Sequence, residues 1–161
     1  MSEPSVSLHF DATRRYQPGD VLAGEYRVEG IHPSQVKAVE VSVLWFTDGK
    51  GEPDMAVHEF WRFHPEEGER LDRPRAGSYQ TTLPLSPLSY EGAILQIRWC
   101  VRARVFLHRA KELFAERVFR LGCVPPPDAG PACPLPGDGA ASAGESRGSV
   151  VELRASSGNG R

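Results

Sequence analysis

Residues Ile94 to His108 read "ILQIRWCVRARVFLH". Leu95, Ile97, Trp99, Val101, Ala103, Val105 and Leu107 share one parity; Gln96, Arg98, Cys100, Arg102, Arg104, Phe106 and His108 share the other. A period of two sustained this far is that of a β-strand with one face on a core and the other toward water. A helix would set Arg98 and Arg102 among apolar neighbours on every side. The stretch predicts a long strand whose Arg98, Arg102 and Arg104 point away from the core.

The same period recurs upstream. In "VKAVEVSVLWF", Val36 to Phe46, the residues Val39, Val41, Val43 and Trp45 oppose Ala38, Glu40 and Ser42. "TDGKGEPD" follows as a cluster of turn formers, a hairpin-type connection. "MAVHEFWRF" resumes as a strand, with Val57 and Trp61 on one side and His58, Phe60 and Arg62 on the other. The charged run from Pro65 to Ser78, broken by Gly and Pro, reads as a surface loop. "YQTTLPL" is a further strand that Pro84 ends. Near the start, "SVSLHF" places Val6, Leu8 and Phe10 at alternate positions.

One segment carries two periods. In "AKELFAERVFRLG", Phe114, Val118 and Leu121 share a helical face, yet Arg117, Phe119 and Leu121 also alternate with Glu116, Val118 and Arg120. A closing strand preceded by a turn fits the rest of the chain better. The count is about seven strands in about 120 residues, linked mostly by short polar turns. That is the pattern of an antiparallel, immunoglobulin-like β-sandwich, and no strand–helix alternation suggests a parallel sheet.

"RYQPGDVLAGEYRVEG", Arg15 to Gly30, sets turn chemistry directly before strand formers. Pro18 fixes its own φ, Gly19 accepts a positive one, and Asp20 completes a tight turn that launches a strand. Gly24 within that strand marks a bulge or a close approach by another backbone.

These residues carry a family resemblance. Tyr16-x-Pro18-Gly19-Asp20-x-x-x-Gly24, followed by alternating apolar residues, resembles the second strand region of the arrestin amino-terminal domain and its wider clan. "SYQTTLPLSPLSYEGAILQIRWCVRARV" is similar to the arrestin segment in which a strand ends in Leu-Pro, a Ser-aromatic-Glu-Gly turn follows, and a long strand has an aromatic near its middle. The matching residues here are Leu83-Pro84, Ser89-Tyr90-Glu91-Gly92 and Trp99. The likeness spans Val6 to Leu121 and implies an arrestin-like sandwich with a general habit of binding proteins. Arrestins pair two such sandwiches, whereas this chain has room for one. Their phosphate-sensing charged cluster and receptor loops have no counterpart in these residues, so receptor recognition is not implied.

Composition changes after Gly122. Residues 123–161 are rich in Pro, Gly, Ala and Ser, lack aromatics, and carry one apolar knot at Val150, Val151 and Leu153. Such a segment buries too little apolar surface to offset its ordering entropy. The division is therefore a β-sandwich over 1–122 and a disordered tail over 123–161. The 161 residues carry a formal net charge of −2, which argues against general affinity for nucleic acid. No signal-peptide pattern and no membrane-spanning run is visible, so a cytoplasmic protein is expected. Nothing in the sequence supports a peripheral membrane contact.

No catalytic motif stands out: there is no G-x-S-x-G elbow, HExxH, P-loop or G-x-G-x-x-G. His58-Glu59 lacks a zincin's second histidine, and His58, His64, His9 and His32 read as surface residues rather than metal ligands. Cys100, Cys123 and Cys133 are odd in number and lack CxxC spacing, against both a disulfide framework and a zinc site. Cys100 reads as a small strand residue, and nothing near it in sequence activates the thiol. Glu66, Glu67 and Glu69 alternate with Arg70, Arg73 and Arg75, the make-up of a solvated loop. No enzyme and no cofactor are expected.

The remaining candidate is the arginine row Arg98, Arg102 and Arg104, with Phe106 on the same face and Phe60 and Phe46 as an apolar rim. Cross-strand pairing with acidic neighbours such as Glu40 or Glu59 is the plain reading. The functional reading is a non-catalytic adaptor or scaffold that binds an unidentified protein through an outer sheet face or a free edge strand. The alternative is a small-ligand or anion-binding accessory domain of an enzyme or transporter complex, which requires a concave pocket with convergent polar groups.

Overall fold

The computed structural model describes residues 3–64, 76–122 and 124. Among these residues there are nine strands: β1 Ser5–His9, β2 Arg15–Tyr16, β3 Val21–Glu29, β4 Val36–Gly49, β5 Met55–Phe63, β6 Ala76–Thr82, β7 Tyr90–Glu91, β8 Leu95–Leu107 and β9 Glu112–Leu121. They form a smaller sheet, β1-β3-β6, and a larger one, β2-β9-β8-β4-β5, with β7 beside β8. The chain is an all-β sandwich. A single 3-10 turn at Pro33–Gln35 is its helical content among the described residues.

Period-two alternation sends one parity of each strand into the space between the sheets. β8 contributes Trp99, Val101, Ala103 and Val105, β4 contributes Val39, Val41 and Val43, and β3 answers with Leu22, Tyr26 and Val28. The Trp99 indole, fully buried, donates its Nε1–H to the Pro87 carbonyl at 2.8 Å, so its polar atom is satisfied inside the core. Phe119 of β9 meets Tyr16, Trp99 and Phe10 with ring centroids 5.5, 6.0 and 6.0 Å away. Arg117 closes the neighbouring edge by donating to the Leu8 and Phe10 carbonyls of the opposite sheet, at 3.4 and 3.1 Å.

The stretch around Pro18 does more than begin a strand. Arg15 and Tyr16 lie beside Arg120 and Leu121 in the larger sheet, while β3, past the turn, belongs to the smaller one. The turn therefore carries the chain across the sandwich. Gly19 takes φ +86°, and the Asp20 carboxylate accepts the Gln17 N–H at 2.9 Å and an Arg14 N–H at 3.2 Å. Because the chain crosses over rather than doubling back, β2 runs parallel to β9, a departure from the wholly antiparallel expectation.

Gly24 is a close approach and not a bulge, since β3 keeps unbroken register with β1 and β6. It faces Tyr79 across the β3–β6 ladder, and Tyr26 likewise faces Gly77. Each phenol ring lies over the opposite glycine. A Cβ on Gly24 would sit 2.6 Å from Tyr79 Cζ and 2.8 Å from the His9 carbonyl oxygen, and one on Gly77 would sit 2.5 Å from Tyr26 Cε1.

Several sequence expectations need correction. β6 begins at Ala76, so Ala76, Gly77 and Ser78 are strand rather than loop; the missing side chain of Gly77 makes room for the Tyr26 ring. Glu112–Leu121, by contrast, is the closing strand preceded by a turn that the sequence favoured, with Ala110 at φ +55°, and strand alternation prevails over the helical spacing of Phe114, Val118 and Leu121. β5 carries a β-bulge. Val43 pairs with Glu59 but Leu44 pairs with Val57, leaving His58 extra. The parity of β5 resets there: Trp61 packs toward the core, Val57 turns outward, and His58 turns in against the edge of Trp99 at 6.0 Å. His58 is thus not on the side of Phe60 and Arg62. The loop carboxylates Glu66, Glu67 and Glu69, and nearly all of the tail, lie outside the described residues.

Candidate protein-interaction surface

The outer face of the larger sheet is built in rows by the β5-β4-β8-β9 registers. Val57, Leu44, Cys100 and Val118 stand side by side as a wholly apolar row. Next to it runs Phe60, Ser42, Arg102 and Glu116, then Arg62, Glu40, Arg104 and Phe114. On the other flank, Met55 pairs with Phe46 and Phe46 with Arg98. Met55, Val57, Phe60, Phe114 and Val118 are 53, 53, 49, 47 and 42% exposed, an unusual concentration of large apolar side chains on one face. The outer face of the smaller sheet is mostly polar instead, with Ser5, Ser7, His9, Glu25, Arg27, Ser78 and Gln80 around a single exposed large apolar residue among the described residues, Val21.

The arginine row is outward-facing as expected, and it is not a free cationic strip. Arg102 donates from Nε and Nη2 to Glu116 at 2.9 and 2.8 Å, with both side chains about one-quarter exposed. Arg104 forks onto Glu112 and lies 5.3 Å over the Phe106 ring. Arg98 bonds Gln96 at 2.6 and 3.1 Å and lies 3.9 Å from Asp48. The partners differ from those anticipated. Glu40, flanked in register by Arg62 and Arg104, bonds Arg62 at 2.8 Å, and Glu59, opposite Val43, shares the inward parity of Trp61 and so faces away from the arginines. β9 supplies the carboxylates that Arg102 and Arg104 use. Phe106 is half-buried beneath Arg104 and Arg62.

Arg102 also explains why Leu44 and Cys100 are buried on an outward face. Its guanidinium reaches from Glu116 toward Met55 Sδ at 3.8 Å and lies 5.5 Å over Phe114, which roofs the centre of the apolar row. Burial and the nearby Glu116 carboxylate push the Cys100 thiol up to about 12, so it stays protonated and inert near neutrality. The sequence alone did not single out Met55, Val57, Phe114 and Val118. The bulge hid the outward parity of Val57, and the double periodicity of β9 hid that of Phe114 and Val118.

The turn residues Pro18, Gly19, Asp20 and Gly24 sit at the sheet crossover and the β3–β6 ladder, away from this face. The Ser89–Gly92 segment pins the end of β9: Ser89 Oγ accepts the Leu121 N–H at 2.9 Å, and Glu91 bonds Arg120 at 2.7 Å. Two open hollows lie elsewhere, one lined by Arg27, Gly30, Ile31 and His32 and one by His58, Glu59, Gln80, Thr81 and Thr82. No group of three His, Cys, Asp or Glu with metal-binding geometry occurs among the described residues. No helix there is long and apolar enough to cross a membrane.

No family model matches the chain, and no curated protein matches it. Solved structures do. The sporulation control protein Spo0M from Bacillus subtilis superposes with a TM-score of 0.52 at 14% identity, covering 77% of this chain and 51% of that one. The chain thus spans about half the length of Spo0M. Two superoxide reductase (neelaredoxin) structures from Ignicoccus hospitalis follow with TM-scores of 0.45 and 0.44 at 12 and 10% identity, covering 75 and 73% of this chain and 83 and 80% of theirs. At 14% identity the likeness to Spo0M speaks to the β-sandwich fold alone.

Proposed function

We propose that this chain is a non-catalytic protein-interaction domain of the arrestin-like kind, an adaptor or scaffold that docks a partner on the outer face of its larger sheet. The observation that carries the reading is the exposed apolar cluster Met55, Val57, Phe60, Phe114 and Val118 around a buried Leu44–Cys100 centre. Burying about 25 cal/mol per Å² of apolar surface makes such a face worth covering, and the paired arginines around it form a polar rim. The arrestin-like assignment is supported by the sheet-crossing turn at Pro18-Gly19-Asp20, the strand that stops before Leu83-Pro84, and the Ser89–Gly92 turn leading into the long Trp99 strand. The anion-binding alternative has less behind it, because Arg27 beside the first hollow is 3.7 Å from Glu25.

The test is affinity capture from native lysate with the full chain, compared with Phe60→Ser/Phe114→Ser and with the exchange Arg102→Glu/Glu116→Arg. The expected result is a specific protein held by the wild type, lost by the phenylalanine double variant with its circular dichroism unchanged, and retained by the charge exchange. Retention by the phenylalanine variant would remove the outer face from consideration. Loss in the charge exchange alone would make the arginines, not the apolar cluster, the recognition element.

A further inference from the structure

The second hollow lies between β5 and β6, each an edge strand among the described residues, where the two sheets part. β6 closes one side of the smaller sheet, with β3 as its sole partner among the described residues. Leu83 exchanges backbone bonds with Gly19 and Asp20 at 3.0 and 2.9 Å, so its N–H and C=O face β3. Strand alternation then turns those of Thr82, Gln80 and Ser78 toward the open edge. The Thr82 carbonyl confirms this direction by accepting the His58 Nε2–H at 2.9 Å from the opposite sheet.

Exposed edges are ordinarily guarded by charges, proline or bulges. β5 has its bulge at His58, with Glu59 and Arg62 alongside, and β1 is covered by Arg117 reaching to Leu8 and Phe10. β2 is only two residues long. β6, "AGSYQTT", has no charged residue, no proline and no register shift along its pairing with β3. His58 occupies the bonding position of a neighbouring strand at Thr82, and among the described residues nothing bonds the outward backbone groups of Ser78 and Gln80. Glu59, exposed at the rim of the hollow, has no cationic partner among the described residues.

We propose that the β6 edge accepts an extended peptide as a fourth strand of the smaller sheet, the peptide carrying a basic side chain that enters the hollow and meets Glu59. Ser78 and Gln80 would each exchange an N–H and a C=O with the incoming strand. A side chain on its inward parity would then enter the space bounded by His58, Glu59 and Thr81, where the carboxylate selects a lysine or arginine over an acidic residue. The proposal rests on the interaction-module reading but uses a different surface, so the two can fail separately.

The probes are two synthetic heptapeptides, acetyl-Thr-Val-Thr-Lys-Thr-Val-Thr-amide and its counterpart with glutamate in place of lysine. Each is titrated into the full ¹⁵N-labelled chain to about 5 mM, the weak range expected of a strand held by two residues. The expected result is amide exchange at Ser78 and Gln80 slowed at least about fivefold by the lysine peptide and markedly less by the glutamate peptide. Glu59→Gln should erase the difference between them, while Phe60→Ser/Phe114→Ser should change nothing. No slowing at Ser78 and Gln80 with the lysine peptide, or slowing confined to outer-face amides, overturns the proposal. Equal slowing by both peptides overturns its basic specificity.

Discussion

Gly24 and Tyr79 face each other across the β3–β6 ladder, and the tyrosine ring lies where a side chain on Gly24 would stand. Two residues along the same ladder the arrangement is mirrored by Tyr26 over Gly77. The two pairs weld the smaller sheet by letting each aromatic lie flat on backbone. Gly24→Ala should therefore cost about 2–3 kcal/mol through overpacking, although its φ is an ordinary one. Urea unfolding measures this. In a Tyr79→Leu background the same substitution should cost less, leaving only the clash with the His9 carbonyl. The Tyr79 hydroxyl is buried without a partner among the described residues, so Tyr79→Phe should be neutral or stabilising by about 1 kcal/mol.

Arg102 and Glu116 roof Cys100. Removing the roof by Arg102→Ala should expose the thiol and accelerate its reaction with a maleimide at least about tenfold, in a Cys123→Ser/Cys133→Ser background. The ion pair is partly buried and doubly bonded, so the same variant should lose about 1 kcal/mol of stability. An unchanged alkylation rate would show that Leu44 and its neighbours, not the arginine, shield the sulfur.

Stability should decline on the alkaline side. The Cys100 thiol is held at about 12 against an ordinary 9.0, chiefly by burial, and the Tyr26 phenol at about 12 against 10.0 for the same reason. Burial pushes the Tyr79 phenol up as well. In the unfolded chain these groups lose their protons first, so the unfolded state binds fewer protons than the native one from about pH 9 upward. The stabilisation is complete below that pH and is lost as pH rises toward 12. For Cys100 the loss is at most about 4 kcal/mol. Urea midpoints measured from neutral to alkaline pH should fall, and Cys100→Ala should flatten the early part of the decline even if its neutral-pH midpoint is lower.

Arg117 joins the sheets through carbonyls rather than a carboxylate, since Leu8 and Phe10 oxygens accept its bonds and the Phe10 ring lies 5.3 Å beneath it. Arg117→Ala should cost about 1–2 kcal/mol, and Arg117→Lys should restore less than half, because an ammonium lacks the flat guanidinium that lies over the Phe10 ring. Amide exchange at His9 should report the loosened edge before global unfolding does.

Much of this was legible in the chain itself. The alternation from Leu95 to Leu107 predicted both a strand and the outward direction of Arg98, Arg102 and Arg104, and turn chemistry located Gly19 with its positive φ. Such features are local: they depend on backbone stereochemistry and on which parity is apolar. The interaction face was less legible, because all five of its exposed apolar residues stand on β5 and β9, the strands whose parity the sequence obscured. Phe114 and Val118 satisfied a helical period as well as a strand period, and only pairing with Arg104 and Cys100 removes that ambiguity.

The sequence by itself determined an all-β sandwich, because side chains alternating over many residues can bury one face only against another sheet. Tertiary structure decided the rest. A single extra residue at His58 reversed the facing of half of β5, since a period of two inverts with a shift of one. It also decided that Arg102 and Arg104 would find Glu116 and Glu112 rather than Glu40 or Glu59, and that the turn at Pro18 would cross between sheets instead of closing a hairpin. Those outcomes depend on which distant strand lies alongside, and strand neighbours are chosen by packing across the whole sandwich rather than by any residue's own preference.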